Sequence, residues 1–93
     1  MASITKTKQR LERIPGVHAV SIQSYRGRKE LVVSCRSRTG GRKSCSIPAD
    51  NNHVSDLDVR PVLRNLIGQI AVQRFDAILF AERAVPDREL VGA

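Results

Sequence analysis

Two glycine-containing turns flank one alternating segment, and this arrangement most constrains what the chain can fold into. In the segment Leu31–Ser37 (LVVSCRS), the apolar Leu31, Val33 and Cys35 recur at every second position, which is typical of a strand with one buried face. Gly27 precedes this segment and Gly40-Gly41 follows it. Because such turns reverse the chain within two or three residues, we predict a three-stranded antiparallel sheet over residues 17–47.

The register of the first hairpin follows from which residues face inward. The strand before the turn carries Val20 and Ile22 on one side, and paired residues must face the same way. A two-residue type II′ turn at Gly27-Arg28 meets this condition. It gives these pairs: Ile22 with Val33, and Val20 with Cys35.

The second hairpin is constrained in the same way. The third strand, Lys43–Ile47 (KSCSI), carries Cys45 and Ile47 on one side. A three-residue loop over Thr39–Gly41, with Gly41 in the left-handed conformation, keeps the inward residues together. It gives these pairs: Cys35 with Cys45, and Val33 with Ile47.

Helices are expected before and after the strands. The first runs from about Ser3 to Arg13, with Ser3 or Thr5 as its cap, and Pro15-Gly16 ends it. Its inner face is formed by Ile4, Leu11 and Ile14.

A second helical region follows a polar loop, Asp50–Asp56, and begins with Ser55 or Asp58 as its cap. Gly68 either kinks this region or splits it into two helices, and Pro86 ends it. Apolar residues form one stripe at helical spacing. The stripe comprises Val59, Val62, Leu63, Leu66, Ile67, Ile70, Ala71, Phe75 and Ile78.

These elements predict an α+β fold with the order α-β-β-β-α. A chain of 93 residues suffices for one domain, which we place at residues 1–85, followed by a C-terminal tail at residues 86–93. We expect a three-stranded antiparallel sheet with helices packed on one face and water on the other. If one small sheet cannot cover the whole apolar stripe, the remainder of Val59–Ile78 would form a homodimer interface.

The charge of the chain is concentrated in its first half. Residues 1–50 carry eleven Lys and Arg against three acidic residues, whereas residues 51–93 carry five against six. Such a one-sided excess is typical of a protein with a polyanionic partner. Nucleic acid, either DNA or RNA, and an acidic protein surface both fit this pattern.

The outward face of the predicted sheet carries small polar residues and arginines. It displays Ser21, Gln23, Tyr25, Val32, Ser34, Arg36, Arg38, Arg42, Ser44 and Ser46. Basic residues concentrate at the two turns, about 25–30 Å apart along the middle strand. The predicted phosphate-binding residues are Arg26, Arg28, Lys29, Arg36, Arg38, Arg42 and Lys43.

Other kinds of site are not indicated by the sequence. Cys35 and Cys45 are expected to face the core as small buried hydrophobes. With His18 and His53 they lack the close spacing of a zinc site, so we predict no metal, no cofactor and no catalytic residue. The absence of a signal peptide and of a long apolar run predicts a cytoplasmic protein with reduced thiols and no membrane contact.

The stretch from about residue 41 to residue 79 resembles the HicA-type toxins. The residues that carry the resemblance are Gly41-Arg42-Lys43-Ser44-Cys45-Ser46-Ile47-Pro48, Val62-Leu63-Arg64-Asn65-Leu66-Ile67 and Phe75. That family is similar in fold to double-stranded-RNA-binding domains, which implies the same α-β-β-β-α order. Its ribonuclease activity depends on a Gly-Ser-His motif, where this chain has Gly27-Arg28-Lys29. The resemblance therefore implies a role close to nucleic acids without the catalytic histidine.

The sequence thus predicts a small, basic, non-catalytic module that binds nucleic-acid phosphates through its hairpins. A protein-interaction module is the alternative: an inhibitor or accessory factor, from a phage or mobile element, docking its basic face on an acidic part of a nucleic-acid machine. A toxin-type ribonuclease would need His18 or His53 as its general base.

Overall fold

The middle of the chain forms a three-stranded antiparallel sheet in the order β2-β3-β4. The computed structural model describes residues 2–37 and 39–92, of which residues 84–92 are described by their backbone alone. In chain order the elements are β1 (Ala2–Ser3), α1 (Ile4–Glu12), β2 (Val17–Tyr25), β3 (Arg28–Arg36), β4 (Arg42–Pro48), β5 (His53–Val54), α2 (Asp56–Leu66) and α3 (Gln69–Gly92).

One face of this sheet packs against the helices and the other faces water, as predicted for this α+β fold. The inner residues of β3 alternate with outer ones, and Leu31, Val33 and Cys35 are fully buried. The core is aliphatic apart from one aromatic ring, that of Phe75. Its other members are Ile4, Leu11, Ile14, Val20, Leu31, Val33, Ile47, Val54, Val59, Leu63, Ala71 and Val72.

The first hairpin turns one residue earlier than predicted. Arg26 and Gly27 occupy the turn, both at positive φ (50° and 77°), and Tyr25 pairs with Arg28. Positive φ at both central positions is the type I′ pattern, whose twist matches that of the flanking strands better than a type I or II turn would. The predicted pairs are therefore wrong by two residues: Val20 lies opposite Val33, and Ile22 lies opposite Leu31.

The second hairpin is shifted in the same direction. The amide of Ser37 donates to the carbonyl of Gly41 (2.7 Å), and Gly40 rather than Gly41 has a positive φ (90°). The predicted pairing of the two cysteines is consequently wrong. The observed pairs are Val33 with Cys45, Leu31 with Ile47, and Cys35 with Lys43.

Helix α1 begins where the sequence predicted. The Ser3 hydroxyl accepts a hydrogen bond from the Lys6 amide (3.1 Å), which satisfies one of the free donors of the first turn. Ile4 and Leu11 face the core, and Thr7 between them is buried as well. A β-bulge between Val17 and Ala19 then leads the chain into β2.

The second helical region is split at Gly68. Ser55 caps α2 by accepting a hydrogen bond from the Leu57 amide (3.3 Å), and Gly68 has a φ of 123°. This φ is outside the helical range, so α2 ends and α3 begins around it. Helix α3 runs from Gln69 to Gly92 and so passes through Pro86, although an interior proline lacks the amide that bonds to the carbonyl four residues earlier. The predicted tail at residues 86–93 stays a prediction.

A two-stranded sheet was missed by the sequence analysis. Strand β5 lies within the segment that we predicted to be an entirely polar loop, and it pairs with β1 at the start of the chain. Val54 is fully buried there. Two-residue strands are too short to show a period, and the lone apolar Val54 was the available signal.

Most of the apolar stripe on α2 and α3 packs against other parts of the same protomer. Val59, Leu63, Ala71 and Phe75 are buried in the core, and a homodimer interface on the remainder of the stripe stays a prediction. Ile70 on this stripe is exposed. Among the described residues, no helix has the length and apolar character needed to cross a membrane.

Candidate nucleic-acid interface

The outer face of the sheet is largely polar, and within the described part of the chain no element covers it. Its central rows are formed by cross-strand neighbours with small side chains, and the charged residues lie towards the ends of the strands. The central residues are Ala19, Ser21, Val32, Ser34, Ser44 and Ser46. Val32 and Ser34, on the middle strand, are half-buried between their neighbours, and the other four are exposed.

At one end of this face, two arginines stand directly opposite each other. Arg36 on β3 pairs with Arg42 on β4, and both side chains are exposed. Cross-strand neighbours have Cβ atoms about 5 Å apart, and like charges in this relation destabilise a sheet. An anion placed between the two guanidinium groups would remove that repulsion.

At the other end, two arginines surround an exposed tyrosine. Arg28 is the cross-strand neighbour of Tyr25, and the guanidinium carbon of Arg26 lies 5.4 Å from the centre of the Tyr25 ring. That distance is within the range of a cation–π interaction. The tyrosine, which is 65% exposed, thus holds one arginine in place beside the other.

The two predicted lysines belong to the opposite side of the sheet. Lys29 pairs with Ser24, and Lys43 pairs with the inward-facing Cys35, so both lysines lie on the helix side beyond the core. Both are exposed. The candidate residues therefore form two clusters, at the two ends of β3, that wrap around the ends of the sheet. The near cluster is Arg26, Arg28 and Lys29; the far cluster is Arg36, Arg42 and Lys43.

These clusters are about 27 Å apart, since β3 spans the eight residue steps from Arg28 to Arg36. Arg38, also predicted for the far cluster, lies outside the described residues. The distance corresponds to about eight base-pair steps along B-DNA. A duplex lying on the face could therefore meet both clusters at once.

The six described cluster residues have no ion-pair partner among the described acidic side chains. Several cations of the helices are paired instead: Lys8 with Glu12, Arg10 with Glu82, and Arg60 with Asp76. The unpaired sheet cations leave the two ends of the sheet with a net positive charge.

A cleft of about 740 Å³ opens beside the near cluster, between the β2–β3 turn and the β4–α2 loop. Arg28, Lys29 and His53 bring positive or titratable groups to its wall, while Asp50 and Asp58 bring negative ones. The Nδ1 atom of His53 lies 2.8 Å from the carbonyl oxygen of Asn51, which fixes the ring. This mixture of charges gives the cleft no net preference for anions.

The cysteines are placed largely as predicted. Cys35 is buried, and its thiol lies 3.5 Å from the carbonyl oxygen of Leu66. Cys45 is half-buried, opposite Val33. Both thiols are free, and within the described chain no three His, Cys, Asp or Glu side chains group as metal ligands.

The two histidines lie at opposite ends of the sheet. His18 is in the bulge of β2, near Cys35, and His53 is bridged to Asp50, just beyond the other end of β4. Both are exposed. They are too far apart to act as a paired general acid and base on one phosphodiester.

Sequence reasoning identified the two basic ends but missed how the arginines are arranged. The predicted register places Arg38, not Arg36, opposite Arg42, so the observed arginine pair follows only from the true register. The contact between Tyr25 and Arg26 was not predicted either, because it depends on Arg26 lying in the turn.

Comparisons with protein-family models, with curated proteins and with solved structures gave no match to this chain. The resemblance to HicA-type toxins and double-stranded-RNA-binding domains therefore stays a prediction.

Proposed function

We propose that this protein is a small non-catalytic module that binds nucleic acid through backbone phosphates. The outer face of the sheet would lie along the nucleic acid, with the arginines of the near and far clusters contacting phosphates at its two ends. Arginine guanidinium groups suit phosphate oxygens because they can donate two parallel hydrogen bonds.

The observation that carries this proposal is the opposed pair Arg36 and Arg42. Two exposed arginines facing each other across a ladder cost stability, and neither has a described acidic partner. A bound phosphate would convert this repulsion into two charge-assisted contacts.

The small side chains between the clusters support the same proposal. Serine and alanine at the centre of the face allow close approach of a sugar-phosphate backbone, and serine hydroxyls can donate to phosphate oxygens. With Tyr25 as the one exposed aromatic of the face, base stacking would contribute at most locally. Binding would therefore depend weakly on sequence and strongly on salt.

The proposal is tested by fluorescence anisotropy with labelled DNA and RNA duplexes and single strands, over a range of salt concentrations. We expect log K to fall linearly with log salt, because each neutralised phosphate releases counterions. The double variant Arg36→Gln/Arg42→Gln should weaken binding at least tenfold and lower the salt slope by about two.

A matched control removes the same charge elsewhere. Arg74 and Arg83 are exposed on α3, away from the sheet, so Arg74→Gln/Arg83→Gln changes the net charge equally. We expect this control to bind nearly as the parent does. A flat salt response in the parent, or equal losses in the two double variants, would show that the sheet face is not the interface.

Two further outcomes would replace the proposal. Recovery of one acidic protein that stays bound after nuclease treatment would favour the protein-interaction module. Cleavage of the RNA probe by the parent, lost in a His18→Ala/His53→Ala variant, would identify a ribonuclease instead.

A further inference from the structure

The two edge strands of the main sheet are protected to very different degrees. Exposed strand edges pair with other chains unless charges, prolines or bulges prevent it. Strand β4 carries such protection: Arg42 and Lys43 at one end and Pro48 at the other. Strand β2 is nine residues long and contains no Asp, Glu, Lys, Arg or Pro. The bulge at its start is its one protective feature, and it leaves residues 19–25 regular.

The open edge of β2 also presents apolar side chains. Ile22 lies on the helix side of the sheet, yet its side chain is 38% exposed. All five residues from Ser21 to Tyr25 are exposed. Ile22 and Tyr25 are two of the five large apolar residues that the described chain leaves exposed, and both lie on this one strand.

The backbone of β2 is ready to accept another strand. A two-residue turn makes Tyr25 and Arg28 a hydrogen-bonded pair, so the odd-numbered residues of β2 bond to β3. The N–H and C=O groups of Val20, Ile22 and Ser24 therefore point towards the open edge.

From these features we infer that β2 pairs with β2 of a second copy of this chain, antiparallel and about a two-fold axis at Ile22, to form a continuous six-stranded sheet. The bulge limits the regular segment to residues 19–25, and Ile22 is its midpoint. A two-fold interface must be self-complementary, and residues 19–25 meet this condition. Ile22 meets its own copy on the inner face, and Val20 meets Ser24 there, while Ala19 meets Tyr25 on the outer face.

Charge favours a second copy at this edge and disfavours it at the other. Each chain carries a net charge of +7, so two copies can approach closely only where neither presents a cation. Within residues 19–25 the seam between two β2 strands has none, and Arg26 of each copy lies just beyond its ends, whereas two β4 strands would bring Arg42 and Lys43 of both copies together.

The pairing would also place the near cluster of one copy and the far cluster of the other at the same end of the six-stranded sheet. Because the copies run antiparallel, Arg28 of one lies at the end of the sheet where Arg36 of the other lies. The two β3 strands would be three strand spacings apart, or about 14 Å. This exceeds the Debye length of about 8 Å at physiological salt, so the repulsion between exposed clusters is largely screened.

Light scattering coupled to size-exclusion chromatography tests the inference on nuclease-treated, nucleic-acid-free protein, so the outcome is independent of the proposed function. We expect the mass to rise from one chain to two as the protein concentration increases. Ile22→Lys should keep the protein at one chain, because it places a buried like-charge pair on the two-fold axis.

A matched control adds the same charge away from the seam. Ser46 is exposed on the outer face of β4, the other edge strand, so Ser46→Lys should dimerise as the parent does. If Ile22→Lys does not fold by circular dichroism, Ser24→Pro replaces it: this change removes an edge-facing amide and no bond to β3. A parent that stays a single chain throughout, assemblies larger than two chains, or equal behaviour of the edge and control variants would overturn the inference.

Discussion

Thr7 is a fully buried residue of α1 whose hydroxyl oxygen has no hydrogen-bond partner among the residues that the structure describes. Taking a hydroxyl out of water without a partner costs about 1–3 kcal/mol. We therefore predict that Thr7→Val, which keeps the branched shape and removes the hydroxyl, raises the free energy of unfolding by about 1 kcal/mol or more. Urea unfolding followed by circular dichroism measures this change.

Thr5 provides the control for that measurement. It is exposed on the same helix, so Thr5→Val should change the free energy of unfolding by no more than about 0.5 kcal/mol. A loss of stability in Thr7→Val would mean that the hydroxyl is satisfied in solution.

Arg26 has a backbone conformation that suits its turn but not its residue type. Its φ of 50° lies in the left-handed region, which costs a side chain such as arginine about 1 kcal/mol. Asn followed by Gly is the preferred type I′ turn. We predict that Arg26→Asn raises the free energy of unfolding by up to about 1 kcal/mol and weakens duplex binding, as one phosphate contact is removed.

Arg26→Lys separates the two effects, because it keeps the charge and the strained backbone. It should leave both stability and the salt slope close to those of the parent. If Arg26→Asn binds as tightly as the parent, the turn is not part of the interface.

At the scale of secondary-structure elements, Gly68 determines how the two C-terminal helices are arranged. Its φ of 123° is strained for any other residue, although a methyl group there would meet no atom within 4 Å. Gly68→Ala should therefore lower the free energy of unfolding by more than about 1 kcal/mol through the backbone alone. Gly41→Ala is the control, since Gly41 has no positive φ and a methyl group there would lie 3.6 Å from the Ser37 hydroxyl, an ordinary contact. Similar melting temperatures for the two variants would contradict this reasoning.

The faces of the strands were predicted correctly and their register was not, for one physical reason. The face of a residue depends only on whether its position is odd or even. Moving a turn by one residue changes the partner of every residue by two, so it preserves the faces. Gly27 serves equally as the first or second residue of a two-residue turn, and the sequence cannot separate these choices.

The helix boundaries were predictable where a local interaction marks them. Ser3 and Ser55 are caps, and their hydroxyls bind free amides of the first turn, so their sequence signal reflects a real contact. The pairing of β1 with β5 joins residues about fifty positions apart, and no local pattern encodes it. The course of the backbone through Pro86 likewise lay outside what local propensity shows.

The candidate site was predictable in composition but not in arrangement. Counting charges was enough to place basic residues at both turns. The opposition of Arg36 and Arg42 depends on register, and the edge exposure of Ile22 depends on how far the helices extend over the sheet. Both depend on tertiary structure, which cannot be predicted from charge counts or from the alternation of apolar and polar residues.

At the scale of the whole molecule, the net charge of +7 opposes folding through mutual repulsion. Added salt screens this repulsion, so we predict that the melting temperature of the nucleic-acid-free protein rises between about 10 mM and 150 mM sodium chloride. Differential scanning calorimetry measures the shift.

The opposed arginines should account for part of that salt dependence. Arg42→Glu replaces a repulsive cross-strand pair with an attractive one, which is worth about 0.2–1 kcal/mol and weakens as salt is added. The melting temperature of this variant should be higher than that of the parent at low salt and respond less to added salt. An unchanged salt response would mean that the repulsion is spread over the molecule rather than concentrated at this end of the sheet.

The face of a strand residue depends on whether its position is odd or even, and this determines which changes in chain length the sheet can tolerate. Inserting or deleting one residue within β3 would turn Leu31, Val33 or Cys35 out of the core on one side of the change. Inserting or deleting two residues at either turn would leave every inward side chain inward. We therefore expect a library of single-residue insertions over residues 25–47 to retain folded members at the two turns, where a longer loop absorbs the change, and to lose them within β3.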